Sequence, residues 1–313
     1  MVAIGTWNLE NLFQPDNDAG PTSGSAYQAK LEALAATITH LAPDVLAVQE
    51  IGDPEAVDDL LAQLDGDWHS ALADPDGRGI RVGVLSRLPL GEVEQVTDFP
   101  DRLAPVQVDD DGTTIAAMGR PALRVRLHAG NTDIDVISCH LKSKLLTFPG
   151  GRFNPRDEHD RARYTAYALH RRAPEATAVR AHVTELLDNH GQERAVVVAG
   201  DLNDEPEAAT TQLLHGPPGS EIGTEGFDRP DKGDGQRLWN LASLIPDDQR
   251  FSRVYRGRGE LIDHLLLSHA LINLVATVTT GDTHVPSITD QPTERRNEPG
   301  SDHRPVLARI NTT

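Results

Sequence analysis

The stretch AVVVAGDLNDEP, residues 195–206, joins a run of small and β-branched apolar residues to a group of polar ones. The apolar part has the composition of a buried β-strand. Asp201 and Asn203 alternate along an extended backbone, so both side chains can face one cleft. Asp and Asn are also ordinary turn residues, which is how we interpret Asp204. The stretch predicts a buried strand that ends either in a plain turn or in functional groups.

Five other strand-like runs also carry a carboxylate, an amide or an imidazole at or beside them. They are TWNLE with Asn8 and Glu10, VLAVQE with Glu50, SCHLK with His140 and Lys142, LIDHLLL with Asp263 and His264, and SDHRPV with Asp302 and His303. A turn does not explain LIDHLLL, where charged residues interrupt an apolar run. Such residues are costly to bury unless they are paired or bound to metal. The repetition therefore favours a shared site over separate turns.

The chemistry of these side chains indicates which ion such a site would bind. The chain has one cysteine, Cys139, which we expect in the core, so neither an intrachain disulfide nor a cysteine zinc site is possible. Oxygen ligands favour Mg²⁺ or Mn²⁺, and Ca²⁺ is also compatible. Histidines and a lysine beside such a cation suit phosphoryl chemistry.

Composition narrows the class of protein further. The 313 residues carry a formal net charge of −19, which argues against a protein that coats nucleic acid. No stretch approaches the roughly 20 apolar residues that span a bilayer, and the start lacks the basic region of a signal peptide. We therefore expect a cytoplasmic protein that does not bind a membrane. No obligate protein partner is indicated.

Apolar periodicity predicts alternating strands and helices. The expected strands cover 2–7, 44–50, 80–86, 122–128, 133–142, 194–200, 251–257, 260–268 and 303–310. Helices are expected over 27–42, over 54–64, over 161–189 with a break or kink near Pro174, and after Pro206. Residues 216–235 and 281–301 are predicted to be long surface loops, which in compact domains are more often functional than idle.

The motifs GDLND, SCHLKS and SDHRPV, in the order in which they occur here, resemble those of the endonuclease/exonuclease/phosphatase superfamily. The resemblance runs from TWNLENLF to SDHRPVLARI, nearly the whole chain. It implies a deoxyribonuclease-I-like α/β fold: two mostly antiparallel or mixed sheets packed face to face, with helices outside. It also implies one catalytic domain over residues 1–313, because a division would separate Asn8 from Asp302.

The resemblance implies the following roles for the matched residues. Metal binding falls to Asn8, Glu50 and Asp302, and Glu10 matches a position where relatives have an acid near the metal. Catalytic roles fall to His140, Asp201, Asn203, Asp263 and His303. Asp201 would position or deprotonate the attacking water, and Asp263 would orient His303. Either His303 or Asp201 could be the general base.

Asn203 would donate a hydrogen bond to a phosphate oxygen, and His140 would contact such an oxygen or assist the leaving group. Four basic residues are candidates for substrate binding: Arg81, Lys142, Arg152 and Arg156. Arg81 stands where several related nucleases have an acid, which puts a second metal in doubt and favours a direct phosphate contact. Lys142 could equally be a solvated strand-end residue.

The segment PGGRFNPRDEHDRARY, residues 149–164, is basic and rich in glycine. Its arginines, including Arg161 and Arg163, either bind substrate phosphates or pair with the interleaved acids Asp157, Glu158 and Asp160.

The function expected from these motifs and from the resemblance is divalent-metal-dependent phosphodiester hydrolysis. A nuclease or endonuclease acting on DNA or RNA by in-line attack of an activated water is the first choice. A small-molecule phosphodiesterase or phosphatase is the alternative, since the chain is acidic and only 4% aromatic. A non-catalytic binding module of the same fold is the remaining alternative.

Overall fold

The computed structural model describes residues 1–15, 17–152, 154–224, 227, 229–282, 284–291 and 294–312. Among them, two six-stranded sheets contain most of the strands. The first sheet contains, in spatial order, β15 (Val275–Thr279), β17 (Val306–Ile310), β1 (Val2–Leu12), β2 (Val45–Ile51), β4 (Arg81–Ser86) and β3 (His69–Leu72). The second contains β11 (Leu238–Asn240), β14 (Asp263–Ser268), β10 (Ala195–Asp201), β9 (Thr132–His140), β8 (Ala117–Ala129) and β5 (Leu90–Asp98).

Smaller elements complete the description. Strands β12 (Arg253–Tyr255), β13 (Arg258–Glu260) and β16 (Ser287–Ile288) form one small sheet, and β6 (Val106–Gln107) pairs with β7 (Thr114–Ile115). The helices are α1 (Gly24–Leu41), α2 (Pro54–Leu61), α3 (Glu158–Leu187), α4 (Ala209–His215) and α5 (His269–Ile272). Short 3₁₀ turns cover Pro149–Gly151, Leu241–Leu244 and Asp247–Gln249.

Each large sheet contains one parallel pair of strands near its centre. Strand β1 runs parallel to β2 and antiparallel to β17, which joins the two ends of the chain in one sheet. Strand β9 runs parallel to β10, and β10 is antiparallel to β14. Two parallel neighbours carry their C-terminal ends at the same edge of a sheet, so the polar residues that follow them are brought together.

The two sheets pack face to face through a core of aliphatic residues. Ile4, Ala47 and Val84 of the first sheet contribute to the same cluster as Val136 and Val197 of the second. Alternate residues of the strands point outward, where they form two large clusters and one small cluster with the helices. Helices α1 and α2 cover the first sheet, and α3 covers the second. The predicted sandwich of two mixed sheets with flanking helices is confirmed.

Most predicted elements are present, with changes at their boundaries. The long helix, for which a break or kink near Pro174 was expected, is continuous from Glu158 to Leu187, so it is not broken there. A proline removes one backbone hydrogen bond, and the packing of α3 on the second sheet holds the remaining turns. The strand expected over 260–268 is divided into β13 and β14. None of the described helices combines the length and the apolar character needed to cross a membrane.

Gly200 is required by the close approach of strands β9 and β10. A Cβ atom at this position would lie 1.9 Å from the carbonyl oxygen of Cys139. Only glycine avoids that contact, and the next residue in the strand is Asp201.

We therefore expect Gly200→Ala to lower the free energy of unfolding by about 2–3 kcal/mol, because the neighbouring backbone must move. Urea denaturation measures the change. Gly24→Ala is the matched control, since no atom of the described residues lies within 4 Å of a Cβ added there. Equal stability of the two variants would contradict the steric argument.

Candidate active site

Strand register places Asp201 between two other polar residues of the second sheet. It lies opposite His140 on β9 and opposite Asp263 on β14. All three side chains are buried. His140 Nε2 lies 3.6 Å from Asp201 Oδ2. One row across three strands therefore carries an imidazole and two carboxylates.

His303 reaches this row from the segment before β17. Its Nδ1 lies 2.7 Å from Asp263 Oδ2, and Asp263 is fully buried. Two hydrogen bonds fix the backbone of His303: its N–H donates to Ser301 Oγ at 3.0 Å, and Trp7 Nε1 donates to its carbonyl oxygen at 2.9 Å. Ser301 Oγ donates in turn to the carbonyl oxygen of Asn8 at 2.6 Å. Strand β1 thus helps to position His303.

The surroundings drive the pKa values of the two histidines apart. Burial and the nearby Arg120 hold the pKa of His140 well below its usual value. Burial also disfavours protonated His303, but the carboxylates of Asp263 and Asp302 outweigh it and raise the pKa of His303 to about 10. At neutral pH, His140 is therefore neutral and His303 is cationic.

Asp201 is the other perturbed group of the row. Burial and the adjacent Asp263 raise the pKa of Asp201 to about 6, although His303 and Arg253 oppose the shift. The carboxyl is mostly ionised at pH 7, yet its pKa is close enough to neutral for proton transfer.

Asn8 connects the two sheets at the site. Its Nδ2 donates to Asp201 Oδ2 at 3.0 Å, and its Oδ1 accepts from the backbone N–H of Glu10 at 2.9 Å. Glu10 and Glu50 adopt positive φ angles of 51° and 57°, and Asn203 has a φ of 55°. Non-glycine residues seldom adopt this conformation, which is concentrated at functional sites.

Two carboxylates remain available to a cation beside this network. Glu50 Oε2 accepts from the backbone N–H of Asn11 at 3.1 Å, and the Glu50 side chain faces the cavity described below. The Asp302 side chain is 15% exposed and faces the same cavity. Both oxygens of Glu10 instead pair with Arg295, at 2.9 and 3.2 Å, so Glu10 is a poorer ligand than the other two.

Asp201, Asp263 and His303 also lie close enough to hold a metal, since one ligand atom of each falls within 4.8 Å of the others. The geometry of Asp263 and His303 suits a hydrogen-bonded pair better than a metal site. Asp263 Oδ2 is already bonded to His303, and the full burial of Asp263 leaves no room for the waters that Mg²⁺ retains. The hard oxygens of Glu50 and Asp302, which face open space, fit a hydrated cation.

A cavity of about 440 Å³ opens above these residues. Seven residues that the sequence places at the catalytic or metal site line this cavity: Glu10, Glu50, His140, Asp201, Asn203, Asp302 and His303. Asn8 and Asp263 lie behind the lining and contact it through Asp201 and His303. The structure thus brings the acidic, amide and imidazole groups together.

The four basic residues proposed from sequence to bind substrate do not line this cavity. Arg81 Nη1 donates to the carbonyl oxygen of Gly52 at 2.8 Å. Lys142 Nζ donates to the carbonyl oxygen of Leu145 at 2.6 Å, and burial lowers its pKa to about 7.

The remaining two basic residues lie in the segment before α3. Arg152 pairs with Asp160 at 3.1 Å, and Arg156 is exposed. Arg161 pairs with Glu158 at 2.5 Å, and Arg163 pairs with Asp110 at 3.0 Å. Arg152, Arg161 and Arg163 therefore form the surface ion pairs that were the alternative to phosphate binding.

Other cations line the cavity, and sequence analysis did not identify them. They are Arg78, Arg120, Lys144, Arg253, Arg295 and Arg296. Arg120 is held by Asp76 at 3.1 Å, and Arg296 donates to the carbonyl oxygen of Gly20. Arg120 and Arg253 lie in strands and the other four lie in loops, and none belongs to a motif that the sequence analysis singled out. The segment 281–301, predicted to be a functional loop, supplies Arg295 and Arg296.

Two buried cations support the site from outside the cavity. Lys30 of α1 is 3% exposed; burial lowers its pKa, and the nearby Glu10 and Asp302 oppose that shift. The position of Lys30 on the apolar face of the predicted helix 27–42 indicates from sequence alone that this lysine is buried. Arg172 of α3 donates to the carbonyl oxygen of Asn203 at 3.4 Å and pairs with Asp204 at 3.2 Å. Asp204, which we interpreted as a turn residue, therefore also forms an ion pair with a buried arginine.

Three further histidines, which have no counterpart among the residues matched to the family, fall outside the cavity lining. His264 is buried, and its Nε2 lies 2.9 Å from the carbonyl oxygen of Asp204. His269 is half-buried and His284 is exposed.

Comparison with known proteins matches residues 5–303 to the endonuclease/exonuclease/phosphatase family. Among solved structures, the catalytic domain of human nocturnin with a bound sulfate anion is similar, with 14% identity, a TM-score of 0.59, and coverage of 100% of this chain and 94% of that one. A mannosyl-6-phosphatase of Bacteroides thetaiotaomicron shares 14% identity with a TM-score of 0.57, over 100% of both chains. A family protein of Leptotrichia buccalis shares 16% identity with a TM-score of 0.54, also over 100% of both. At these low identities, the TM-scores show a common fold and nothing more. No curated protein sequence matches the chain.

We expect Asp263→Asn to lower the pKa of His303 by more than one unit, because the change removes the nearest carboxylate and leaves the effect of burial. Wild-type His303 should stay protonated up to about pH 10, and the variant should lose its proton at lower pH. NMR titration of the imidazole in metal-free protein measures both values. Asp133→Asn is the control, since Asp133 contacts the exposed His128. An unchanged His303 titration in Asp263→Asn would contradict the assigned pair.

Proposed function

Because this chain belongs to the endonuclease/exonuclease/phosphatase family, we propose that it is a divalent-cation-dependent phosphodiester hydrolase. One observation carries the proposal: Glu50, Asp201 and His303 line one cavity although they are far apart in sequence. These residues offer a potential cation ligand, a carboxylate able to accept a proton, and a cationic imidazole. Water that attacks a phosphodiester requires groups of these three kinds.

In this mechanism Asp201 accepts a proton from the attacking water. Its pKa of about 6 suits that task at neutral pH, whereas His303 is already protonated. His303 instead stabilises negative charge on a phosphoryl oxygen, and Asp263 keeps its ring oriented at 2.7 Å. The neutral His140 provides a hydrogen bond without adding charge.

Glu50 and Asp302 would hold the cation, and Asn8 Oδ1 retains a lone pair that could join them. Mg²⁺ or Mn²⁺ fits this oxygen donor set, and Ca²⁺ is compatible with it. When bound, the cation polarises the phosphoryl group and neutralises charge that develops on it. Asn203 Nδ2 donates to the carbonyl oxygen of Leu141 at 3.0 Å and keeps one N–H for a phosphate oxygen.

Nucleic acid is the first-choice substrate, with DNA or RNA cleaved by direct attack of water. A small-molecule phosphoester is the second candidate, and two observations favour it. The cavity of about 440 Å³ has the size of a small-ligand pocket. Arginines on the outer surface near α3 are paired with acids, which leaves a poorer track for a polyanion.

Asp201→Asn is expected to lower kcat by a factor of about 10²–10⁴, since the variant cannot accept the proton. The melting temperature should fall by no more than a few degrees, because the amide oxygen can keep one of the two hydrogen bonds that Asp201 accepts, from Asn8 Nδ2 and from the backbone N–H of Asn203, and the variant buries no charge. Steady-state hydrolysis of bis-p-nitrophenyl phosphate and a thermal melt measure the two quantities. A variant with wild-type kcat would remove Asp201 from the proposed chemistry.

Glu50→Gln is expected to raise the Mg²⁺ concentration needed for half-maximal activity by about tenfold or more, because the amide lacks the carboxylate charge. A titration of activity against Mg²⁺ measures this. Glu55→Gln on the exposed face of α2 is the matched control and should titrate like wild type. Identical curves for Glu50→Gln and wild type would exclude Glu50 from the cation site.

The substrate proposals separate in a parallel assay of plasmid DNA, single-stranded RNA and bis-p-nitrophenyl phosphate with Mg²⁺ or Mn²⁺. Cleavage of a polynucleotide supports the nuclease. Turnover of the small ester alone favours the second candidate, and no turnover of any of them opposes both.

A further inference from the structure

Arg253 is a cavity residue whose position is set by the segment that carries His303. Residues 253 and 303 form an isolated antiparallel bridge, so the backbones of Arg253 and His303 are adjacent. The Arg253 side chain is 17% exposed and lines the cavity beside Asp201, Asp302 and His303. It therefore lies at the proposed reaction centre and not on its rim.

Most of the hydrogen-bonding capacity of this guanidinium is unused. An arginine side chain has five N–H donors. Within the described part of the chain, the one hydrogen bond of the Arg253 side chain goes from Nη2 to Glu260 Oε2, at 2.8 Å. Its buried Nε has no hydrogen-bond partner among the described residues. Unsatisfied buried donors are costly, so these N–H groups favour an acceptor beyond those that the described residues supply.

Glu260 and Tyr255 hold the guanidinium in place. Glu260 is 12% exposed and binds one end of the fork. The Tyr255 ring has its centroid 5.8 Å from Arg253 Cζ, close enough for a cation–π contact. Burial lowers the pKa of Arg253, but Glu260 and Asp201 more than offset the effect. The group stays cationic in a fixed orientation.

The other buried or half-buried arginines of the cavity are already engaged. Arg295 binds both oxygens of Glu10. Arg120 binds Asp76 and the carbonyl oxygen of His140, and Arg296 binds the carbonyl oxygens of Asn17 and Gly20. Arg78 has an exposed side chain. Arg253 thus combines burial, charge and free donors.

We propose that Arg253 is a catalytic residue whose guanidinium binds a non-bridging oxygen of the phosphoryl group undergoing attack, next to His303. This inference rests on the proposed function and adds a specific contact to it. A planar fork can bind two phosphoryl oxygens at once, and such charge-assisted bonds strengthen as charge develops in the transition state. The competing role is that of a counter-ion that only neutralises Asp201 and Asp302.

Arg253→Lys and Arg253→Met separate these roles, because lysine keeps the charge but not the planar fork. Arg258→Met, on exposed β13 where Arg258 pairs with Glu205, is the matched control. Each variant is assayed with bis-p-nitrophenyl phosphate and Mg²⁺ for kcat and KM. Binding of inorganic phosphate is measured by calorimetry, and folding by thermal melts.

We expect Arg253→Met to lower kcat by about 100-fold or more, the size of effect seen when one preorganised charge-stabilising donor is lost. Phosphate binding should weaken at least about tenfold. Arg253→Lys should recover less than a tenth of the lost kcat, and Arg258→Met should match wild type. Wild-type kcat and phosphate affinity in Arg253→Lys would assign Arg253 to charge neutralisation and overturn the proposal. The lysine variant alone distinguishes the two roles, so the test stands even if Arg253→Met does not fold.

The two proposals fail in different ways. If wild type hydrolyses no ester, the proposed function fails, and the dependence of phosphate binding on Arg253 still decides whether the anion contact exists. If wild type hydrolyses the ester and folded Arg253→Met retains its kcat, the contact fails and the hydrolase proposal stands.

Discussion

The hydrogen bond from Asn8 to Asp201 is the constraint on which the rest of the site depends, because it joins the two sheets through their polar ends. Below it, Gln49 of the first sheet donates to Ser138 of the second at 3.3 Å, and Thr6 donates to Gln49 at 3.2 Å. These groups are buried, so a shift of either strand by one residue would leave polar atoms without partners and expose core side chains. The polar layer therefore fixes how the sheets meet, and the aliphatic core beneath it supplies the stability.

Because the strand ends are fixed relative to one another, the site can hold a neutral and a cationic imidazole close to buried carboxylates. Burial lowers the pKa of His140 because no carboxylate compensates sufficiently, whereas burial fails to lower that of His303 because Asp263 and Asp302 lie beside it. The net charge of −19 does not describe the cavity, where acids alternate with arginines. Local pairing and not overall charge decides how an anionic substrate would be received.

The fold could be predicted from sequence because the ordered motifs resemble those of a known family, and the acidic members of the candidate site could be predicted because they interrupt local patterns. Asp201, Asp263 and Glu50 interrupt or end apolar strands, and burial makes such interruptions costly enough to be informative. The basic half could not be predicted. Arg253 and Arg120 resemble any other arginine in a strand, and their roles arise from neighbours about 50 and 20 residues away, such as His303 and His140. Arg152 looked functional because it stood in a basic stretch, but Asp160 in that same stretch binds it.

Backbone strain at the site occurs at irregularities within β1 and β2 and directly after β10. Glu10, Glu50 and Asn203 all adopt left-handed conformations although none is glycine, and each conformation costs on the order of 1 kcal/mol. The bends direct side chains into the cavity, where a straight continuation of the strand would send alternate residues to opposite faces. Arg172 binds the carbonyl oxygen at the Asn203 bend, and Glu50 accepts a backbone hydrogen bond at its own. At Glu50 the left-handed conformation places a long carboxylate at the cavity, and at Glu10 it places one in the ion pair with Arg295.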